Sequence, residues 1–183
     1  LKGQALSIKV DGLLGGHSGM EIIKQRANAI KLLGRILSAV KAEQSVHIVS
    51  IAGGSKHNAI AKEAQAIITV EDAARAQAAI AKLAEAIRAE YRVADKDIRI
   101  VAEAATALPK MMYNGTVSCG IIDFMTMVPD GVQYMSMDIP GLVQTSLNNG
   151  ILAAAGETLT FTISVRSSVK SELDEIVQVL QLC

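Results

Sequence analysis

The chain opens with apolar and polar residues in strict alternation. In "ALSIKVD", Leu6, Ile8 and Val10 fall on one side, which is the period of a half-buried β-strand. From Ser18 onward the apolar residues recur at steps of three and four, which predicts an amphipathic helix. Ser18 and Glu21 have the spacing of a capping box, so we expect the helix to begin at Ser18. Its predicted buried face consists of Ile23, Ala27, Ile30, Gly34 and Leu37.

Further elements complete a first group. "SVHIVSIAGG" predicts a strand that runs into a glycine turn, and "NAIAKEAQAIITV" predicts a second strand, although its alanines leave a helix open. Asp72 is positioned to cap the next helix, and "DIRIVAEA" predicts the strand that follows. The predicted face of this helix consists of Ala76, Ile80, Leu83, Ile87 and Tyr91. The order βαββαβ predicts a four-stranded antiparallel sheet with helices on one side.

The remaining residues predict a second group in a different order. A helix is expected from Thr116 to Val128, and "PDG" then turns the chain. "VQYMSM", "LVQTSLNNGIL" and "TLTFTISVRS" predict three strands, and a closing helix follows them. The predicted helix faces are Val117, Ile121, Phe124 and Val128, then Val169, Leu173, Ile176 and Leu180. We therefore expect an α+β fold with one domain over 1–183, in which 106–183 form an αβββα extension of the sheet begun by 1–105.

The composition argues against several classes of function. Lysine plus arginine and aspartate plus glutamate both number 18, and aromatic residues make up 3% of the chain. A neutral chain with few aromatic residues gives no reason to expect nucleic acid or an acidic membrane as a partner. No apolar run approaches the roughly 20 residues of a membrane span. Cys119 and Cys183 have no ligand or disulfide spacing, so a reducing cytoplasm is the expected location.

His17 is the first candidate for chemistry. It directly precedes Ser18, at the start of the predicted helix, and glycines flank it in "GLLGGHSGMEI". The positive end of a helix dipole disfavours an added proton, and a neutral imidazole there can donate a hydrogen bond to an oxyanion. The alternative is a glycine-rich turn whose histidine merely fits. The residues alone leave both possibilities open.

Asn58 and Arg166 lie at the ends of predicted strands, where sites are commonly assembled. Asn58 can fix a ligand, although fixing a turn is the commoner use of such an asparagine. Arg166 can bind a carboxylate with two hydrogen bonds, or form an ordinary ion pair. The sequence contains no HxxxH or CxxC zinc spacing, no GxSxG motif and no P-loop. The chain therefore lacks the parts of a complete hydrolase.

Four segments carry a family resemblance: "GLLGGHSGMEI", "GGSKHNAIAKEA", "MSMDIPGLVQTSLNNGIL" and "ISVRSS". In this order, and over nearly the whole chain, they resemble the aminoacyl-histidine dipeptidases (Xaa-His dipeptidases, carnosinase-like enzymes) of the M20 metallopeptidase family. The resemblance implies the inserted lid or dimerisation domain of such an enzyme. Two zinc ions and a general base would then belong to a catalytic domain outside this chain. The start at Leu1 rather than Met likewise leads us to expect a piece of a longer protein.

The resemblance also implies roles for three residues. His17 matches the lid histidine that helps to polarise the scissile carbonyl and stabilise the oxyanion, in some dimers within the partner subunit's active site. Asn58 matches the lid asparagine, and Arg166 the lid arginine that holds the C-terminal carboxylate of the substrate. The implied partners are the catalytic domain of the same protein, a second copy in a homodimer and a dipeptide, and the isolated chain is expected to be inactive. Relatives often read "NAIPRE", whereas this chain has Ala61 and Lys62 in place of the proline and arginine.

A second hypothesis belongs to a different class of protein. Free-standing binding or oligomerisation modules of ferredoxin-like topology share the βαββαβ order, and a fold does not determine a function. Zinc-ligand motifs on both sides of this segment in the parent gene would favour the dipeptidase. A start codon at Leu1 and a stop after Cys183 would favour the module.

Overall fold

A computed structural model describes residues 3–105 and 111–183. The elements of the first range are β1 (Gln4–Asp11), β2 (Gly16–His17), α1 (Ala29–Glu43), β3 (Val46–Gly53), β4 (Ala59–Ile60), β5 (Ala64–Val70), α2 (Ala73–Glu90) and β6 (Arg99–Ala104). Those of the second range are α3 (Gly115–Met127), β7 (Gly131–Met135), β8 (Val143–Ala155), β9 (Thr158–Ser167) and α4 (Lys170–Leu182). Apart from the two-residue strands β2 and β4, the element order is the one predicted.

Seven strands form one antiparallel sheet. Its first part has the order β6-β1-β5-β3, in which β1 lies between β6 and β5. β8 continues the sheet from the end of β3, where Gly53 lies opposite Leu152. β8 also pairs with β7 and, over most of its length, with β9. The predicted α+β class with an antiparallel sheet is therefore confirmed, and β2 and β4 form a separate two-stranded ribbon.

The main core lies between the sheet and the helices α1 and α2. Leu6, Ile8 and Val10 of β1 are at most 1% exposed, as their alternating pattern predicts. α1 contacts β1, β3 and β5 on the sheet and also packs against α2. Its fully buried aliphatic residues are Ile30, Leu32, Leu33, Ile36, Leu37 and Val40. Burial of this apolar surface is the main stabilising contribution in this part of the molecule.

The predicted start of the first helix is wrong. α1 begins at Ala29 rather than at Ser18, and the buried side chain of Asn28 caps it by accepting two backbone N–H groups. Between Ser18 and Asn28 the only helical element is a single 3₁₀ turn at Ile22–Lys24. Gln25 follows this turn and has a φ of 51°. A residue in the left-handed region cannot continue a right-handed helix, so the apolar residues before it do not form a helical face.

α2 begins as predicted. Asp72 caps it by accepting the backbone N–H of Arg75 at 3.0 Å. Of its predicted face, Ala76, Ile80 and Ile87 are at most 3% exposed. The side chains of the other two predicted positions, Leu83 and Tyr91, are half-buried and pack against the core.

α3 lies at the predicted residues, and its predicted face is partly correct: Val128 is fully buried and Ile121 and Phe124 are half-buried. Ser118, Ile122 and Met125 are buried, whereas Val117 is 42% exposed. The reason is the way α3 docks: it packs against α1 at Gly34, and the Ser118 hydroxyl accepts a backbone N–H of β3 at 3.0 Å. As a result α3 buries Ser118, Ile122 and Met125 and leaves Val117 exposed, although apolar periodicity favours burial of Val117.

The predicted boundary between residues 105 and 106 borders residues 106–110, which lie outside the described residues. β7, β8 and β9 nevertheless belong to the same sheet as the strands of the first range. In the part of the chain that the structure describes, no helix has the length and apolar character needed to cross a membrane.

Candidate functional site

The β2–β4 ribbon brings two of the predicted site residues together. His17 lies opposite Ala59 in this ribbon, and the backbone N–H of Ser18 donates to the carbonyl oxygen of Asn58 at 3.0 Å. His17 and Asn58 are both half-buried. They line one open cleft of about 870 Å³, which also borders the end of β1.

Arg166 approaches the same ribbon from β9. It is exposed and lies opposite Ser146 in the β8–β9 register. A Cβ atom placed on Gly19 would lie 3.1 Å from Cε1 of His17 and 3.4 Å from Cζ of Arg166. The imidazole and the guanidinium therefore both border the space that a side chain at Gly19 would occupy. The fold gathers all three residues, although Arg166 lies beside the cleft rather than among its described lining residues.

The hydrogen bonds of the His17 ring define its proton position. Nδ1 accepts the backbone N–H of Gly19 at 3.0 Å and that of Met20 at 3.2 Å. A ring nitrogen that accepts hydrogen bonds carries no proton, so the neutral ring holds its hydrogen on Nε2. Nε2–H is therefore the group that the ring offers to a ligand. The helix-dipole argument does not apply, because α1 begins only at Ala29.

Glu21 anchors the turn on which His17 lies. Its carboxylate accepts the backbone N–H of His17 at 3.0 Å and a side-chain hydrogen bond from Lys24 at 2.8 Å. The Lys24 hydrogen bond and then the His17 N–H lower the pKa of Glu21 to about 2. The predicted capping box does not form, because Glu21 binds the N–H of His17 and the buried Ser18 hydroxyl has no partner among the described residues. Arg26 adds an ion pair to Glu21 at 3.2 Å.

Asp95 holds both ends of the segment that contains His17. Its buried carboxylate accepts the backbone N–H of Leu14 at 2.6 Å and that of Ala27 at 2.8 Å. Charge-assisted hydrogen bonds to backbone groups are among the stronger ones in proteins. The sequence analysis missed Asp95, because its partners lie far away along the chain and nothing in its own neighbourhood indicates them.

The loop that carries Asn58 is held from β8 and β9. The Asn148 amide donates to the carbonyl oxygens of His57 and Ala59, at 3.0 and 2.9 Å. The Ser164 hydroxyl donates to the same His57 carbonyl at 2.8 Å. Sequence reasoning missed both residues, although the two adjacent asparagines in "LVQTSLNNGIL" were a usable signal. Polar side chains inside an apolar strand need hydrogen-bond partners when they are buried.

The cleft has an excess of positive charge. Asp11 pairs with Lys9 at 2.9 Å and with Arg99 at 2.7 Å, and the hydrogen bond from Arg99 is the main cause that lowers the pKa of Asp11. The cationic lining residues are Lys9, Arg26, Lys56, Lys62 and Arg99, and the anionic ones are Asp11, Glu21 and Glu63. This balance favours a ligand that carries an anionic group such as a carboxylate.

The described residues do not fit the zinc ions that the resemblance implies. Within 3–105 and 111–183, no three or more His, Cys, Asp or Glu side chains are grouped so that they could hold a metal ion. A catalytic zinc ion needs about three such protein ligands.

Three comparisons with known proteins show what the chain resembles. Residues 8–95 match the sequence model of the M20 peptidase dimerisation domain. The cytosol non-specific dipeptidase of Escherichia coli (strain K12) is 28% identical over 179 residues, which make up 97% of this chain and 37% of that protein. The crystal structure of aminoacylhistidine dipeptidase from Vibrio alginolyticus matches with a TM-score of 0.93 and 28% identity, over 99% of this chain and 37% of that one. The chain thus spans little more than a third of the length of either relative.

The family match and the structural match complement each other. The match over 8–95 begins within β1 and ends after α2, so it contains both His17 and Asn58. The structural likeness extends through α3, β7, β8, β9 and α4, and therefore includes Arg166. Together they show that residues 8–95 resemble the M20 peptidase dimerisation domain, and that nearly the whole chain resembles one part of two dipeptidases.

Proposed function

We propose that this chain is the lid or dimerisation domain of a zinc-dependent dipeptidase that hydrolyses Xaa-His-type dipeptides. One relative is named as an aminoacylhistidine dipeptidase and the other as a non-specific dipeptidase, which supports the substrate class. In this proposal residues 1–105 and 106–183 are two parts of one domain. The zinc ions and the general base belong to a catalytic domain outside this chain.

The role proposed for His17 is to stabilise the oxyanion. Two backbone N–H groups occupy Nδ1, so the ring has Nε2–H available for a substrate oxygen. Because those bonds and the anchor at Glu21 hold the ring in advance, it needs little reorganisation when negative charge develops on that oxygen. This preorganised Nε2–H donor beside Arg166 is the single observation that carries the proposal.

Arg166 and Asn58 are proposed to bind the dipeptide. The planar guanidinium of Arg166 can hold the C-terminal carboxylate with two parallel hydrogen bonds. Asn58 uses its backbone carbonyl for the bond to Ser18, and we assign its side-chain amide to the substrate. The excess of cations around the cleft supports a substrate with a free carboxylate.

The proposed partners are the catalytic domain of the same protein and a second copy in a homodimer. The family name supports dimerisation, and the name of the Escherichia coli relative supports a cytoplasmic location. The 183-residue chain alone is expected to be inactive, because the lid contributes only part of the site.

The decisive experiment is His17→Ala in the full-length protein. We expect kcat for an Xaa-His dipeptide to fall by about 10²-fold or more, as it does when an oxyanion donor is lost. His57→Ala is the matched control, because His57 is exposed and is not among the described residues that line the cleft. An unchanged kcat in His17→Ala would refute the role of His17. A full-length protein without any peptidase activity would favour the free-standing module instead.

Arg166→Ala, measured with the same assay, tests the proposal that Arg166 binds the C-terminal carboxylate of the dipeptide. For a dipeptide with a free carboxylate, loss of a charged hydrogen-bond partner should weaken binding by about 10- to 100-fold. For the corresponding dipeptide amide, which has no such charge, the variant and the wild type should differ little. Equal losses with both substrates would assign Arg166 a structural role.

A further inference from the structure

We propose that Asn148 is a positioning residue for the site, because it sets the place of the 57–59 loop and, through that loop, of His17. Its catalytic consequence rests on the proposed function, whereas its structural consequence does not. Asn148 has its Cα in β8, on the sheet, and is 1% exposed. A buried amide is costly unless its hydrogen bonds are satisfied.

Both hydrogens of the Asn148 amide are used on one loop. The Nδ2 group donates to His57 O at 3.0 Å and to Ala59 O at 2.9 Å. These two carbonyls flank Asn58 on either side. Asn148 therefore holds the peptide group that precedes Asn58 and the one that follows Ala59.

A third bond determines how the amide is oriented. Nδ2 of Asn28 lies 3.4 Å from Oδ1 of Asn148, and Asn28 is itself fixed as the cap of α1. This donor favours the amide orientation in which Oδ1 faces Asn28 and Nδ2 faces the loop. Aspartate has nearly the same shape but, when ionised, only accepts, so it cannot replace either bond to the loop.

The loop is also clamped against the sheet by contacts next to Asn148. The Ser164 hydroxyl donates to His57 O at 2.8 Å, so β8 and β9 share one acceptor. A Cβ atom on Gly150 would lie only 2.8 Å from Cα of His57, so the loop backbone rests directly on this glycine. The polar and steric contacts together leave the loop little freedom to shift.

The position of the loop is passed on to His17 by one hydrogen bond. The carbonyl oxygen of Asn58 accepts the N–H of Ser18 at 3.0 Å, and His17 lies opposite Ala59 in the ribbon. A shift of the loop would therefore change the contact that holds Ser18, the residue next to His17. A displacement of about 1 Å in a positioned catalytic group can cost on the order of 10²-fold in rate.

The test compares Asn148→Ala with Asn149→Ala. Asn149 is an equally buried neighbour, but its side chain donates to Pro129 O at 3.3 Å rather than to the loop. In the 183-residue chain we expect exchange of the Ser18 amide hydrogen to become at least about 10-fold faster in Asn148→Ala and to change little in Asn149→Ala. Equal exchange in both variants would overturn the proposal. If Asn148→Ala does not fold, Ser164→Ala removes one bond to the same loop and should accelerate the same amide by a smaller factor.

The catalytic consequence is measured in the full-length protein. Asn148→Ala should lower kcat by about 10-fold or more with little change in KM, because His17 acts mainly on the transition state. Asn149→Ala of comparable stability should keep its kcat. Faster Ser18 exchange in a protein whose wild type lacks peptidase activity would refute the proposed function and leave the positioning intact. Faster exchange with an unchanged kcat would overturn the catalytic consequence alone.

Discussion

Residues 3–105 and the strand β8 fill their interiors in opposite ways. In the first region the buried positions of β1 and α1 are aliphatic, and none of Leu6, Ile36 and Leu37 is more than 1% exposed. In β8, by contrast, Thr145, Ser146, Asn148 and Asn149 are at most 4% exposed. An apolar core depends on volume and shape, whereas buried polar groups depend on directed bonds to particular partners.

This difference separates the scaffold from the group of residues that positions the site. The aliphatic core needs only residues of the right size at the right period, which many sequences supply. The polar interior of β8 instead joins α1, the 57–59 loop and β9 through the hydrogen bonds of Asn28, Asn148 and Thr145. We therefore expect substitutions in the core to act mainly on stability, and substitution of Asn148, which bonds to the 57–59 loop, to act on the site as well.

The largest expected effect is on the aliphatic core. Leu37→Ala removes a fully buried side chain from the middle of α1, and should lower the free energy of unfolding by about 2–5 kcal/mol. Leu182→Ala is the control, because Leu182 is 80% exposed and should change it by less than about 0.5 kcal/mol. Urea unfolding measures the change in free energy for both variants, and unchanged m-values would show that only stability has changed. Similar values for the two variants would contradict the importance assigned to the α1 face.

The second prediction concerns the pH dependence of stability that Asp130 causes, where it contacts Asn28 and Asn149. Asp130 accepts hydrogen bonds from Asn28 and from the backbone of Asn149, at 3.1 and 3.0 Å. Although the residue keeps part of its surface exposed, desolvation is the main cause that raises the pKa of Asp130 from 3.8 to about 6. The folded protein thus binds a proton more tightly than the unfolded chain does.

The sign of this effect follows from proton linkage. Between pH of about 4 and 6 the native state holds more protons at Asp130, so its contribution to stability is present at low pH and lost as the pH rises. The loss is at most about 3 kcal/mol, from about 1.4 kcal/mol per pH unit. Asp130→Asn removes this titration, so the stability of the wild type minus that of the variant should decrease across this window. A difference that is flat with pH would contradict the assignment.

The smallest expected effects concern two helical glycines, one at the contact between α1 and α3 and one away from it. A Cβ atom on Gly34 of α1 would lie 2.9 Å from Cβ of Met125 on α3, and 3.1 Å from its carbonyl oxygen. Gly34→Ala should therefore destabilise the protein by about 1–3 kcal/mol, despite its better helix propensity. Gly120→Ala in α3 meets nothing within 4 Å and should stabilise by about 0.5–1 kcal/mol. Thermal unfolding should give a lower Tm for Gly34→Ala and a higher Tm for Gly120→Ala. Changes in Tm of the same sign would contradict the close packing of α1 and α3.

Prediction from the sequence succeeded where local pattern decides the structure. The alternation of Leu6, Ile8 and Val10 and the Asp72 cap were enough to locate β1 and α2. It failed at the start of α1, because the segment around Ser18 is held by long-range bonds to Asp95 rather than by helical ones. The predicted face of α3 was only partly right for a similar reason, since docking on α1 and β3 buries Ser118 and leaves Val117 exposed.

The candidate site divides in the same way. The residues proposed to act on the substrate are named from motifs in the sequence, and they are His17, Asn58 and Arg166. The sequence by itself determined the element types, their βαββαβ order and the polar residues at strand ends, because these follow from local period and turn chemistry. Only the tertiary structure decided that His17 offers Nε2–H beside Arg166 and that Asn148 supports the loop, because these contacts join residues that only the folded sheet brings together.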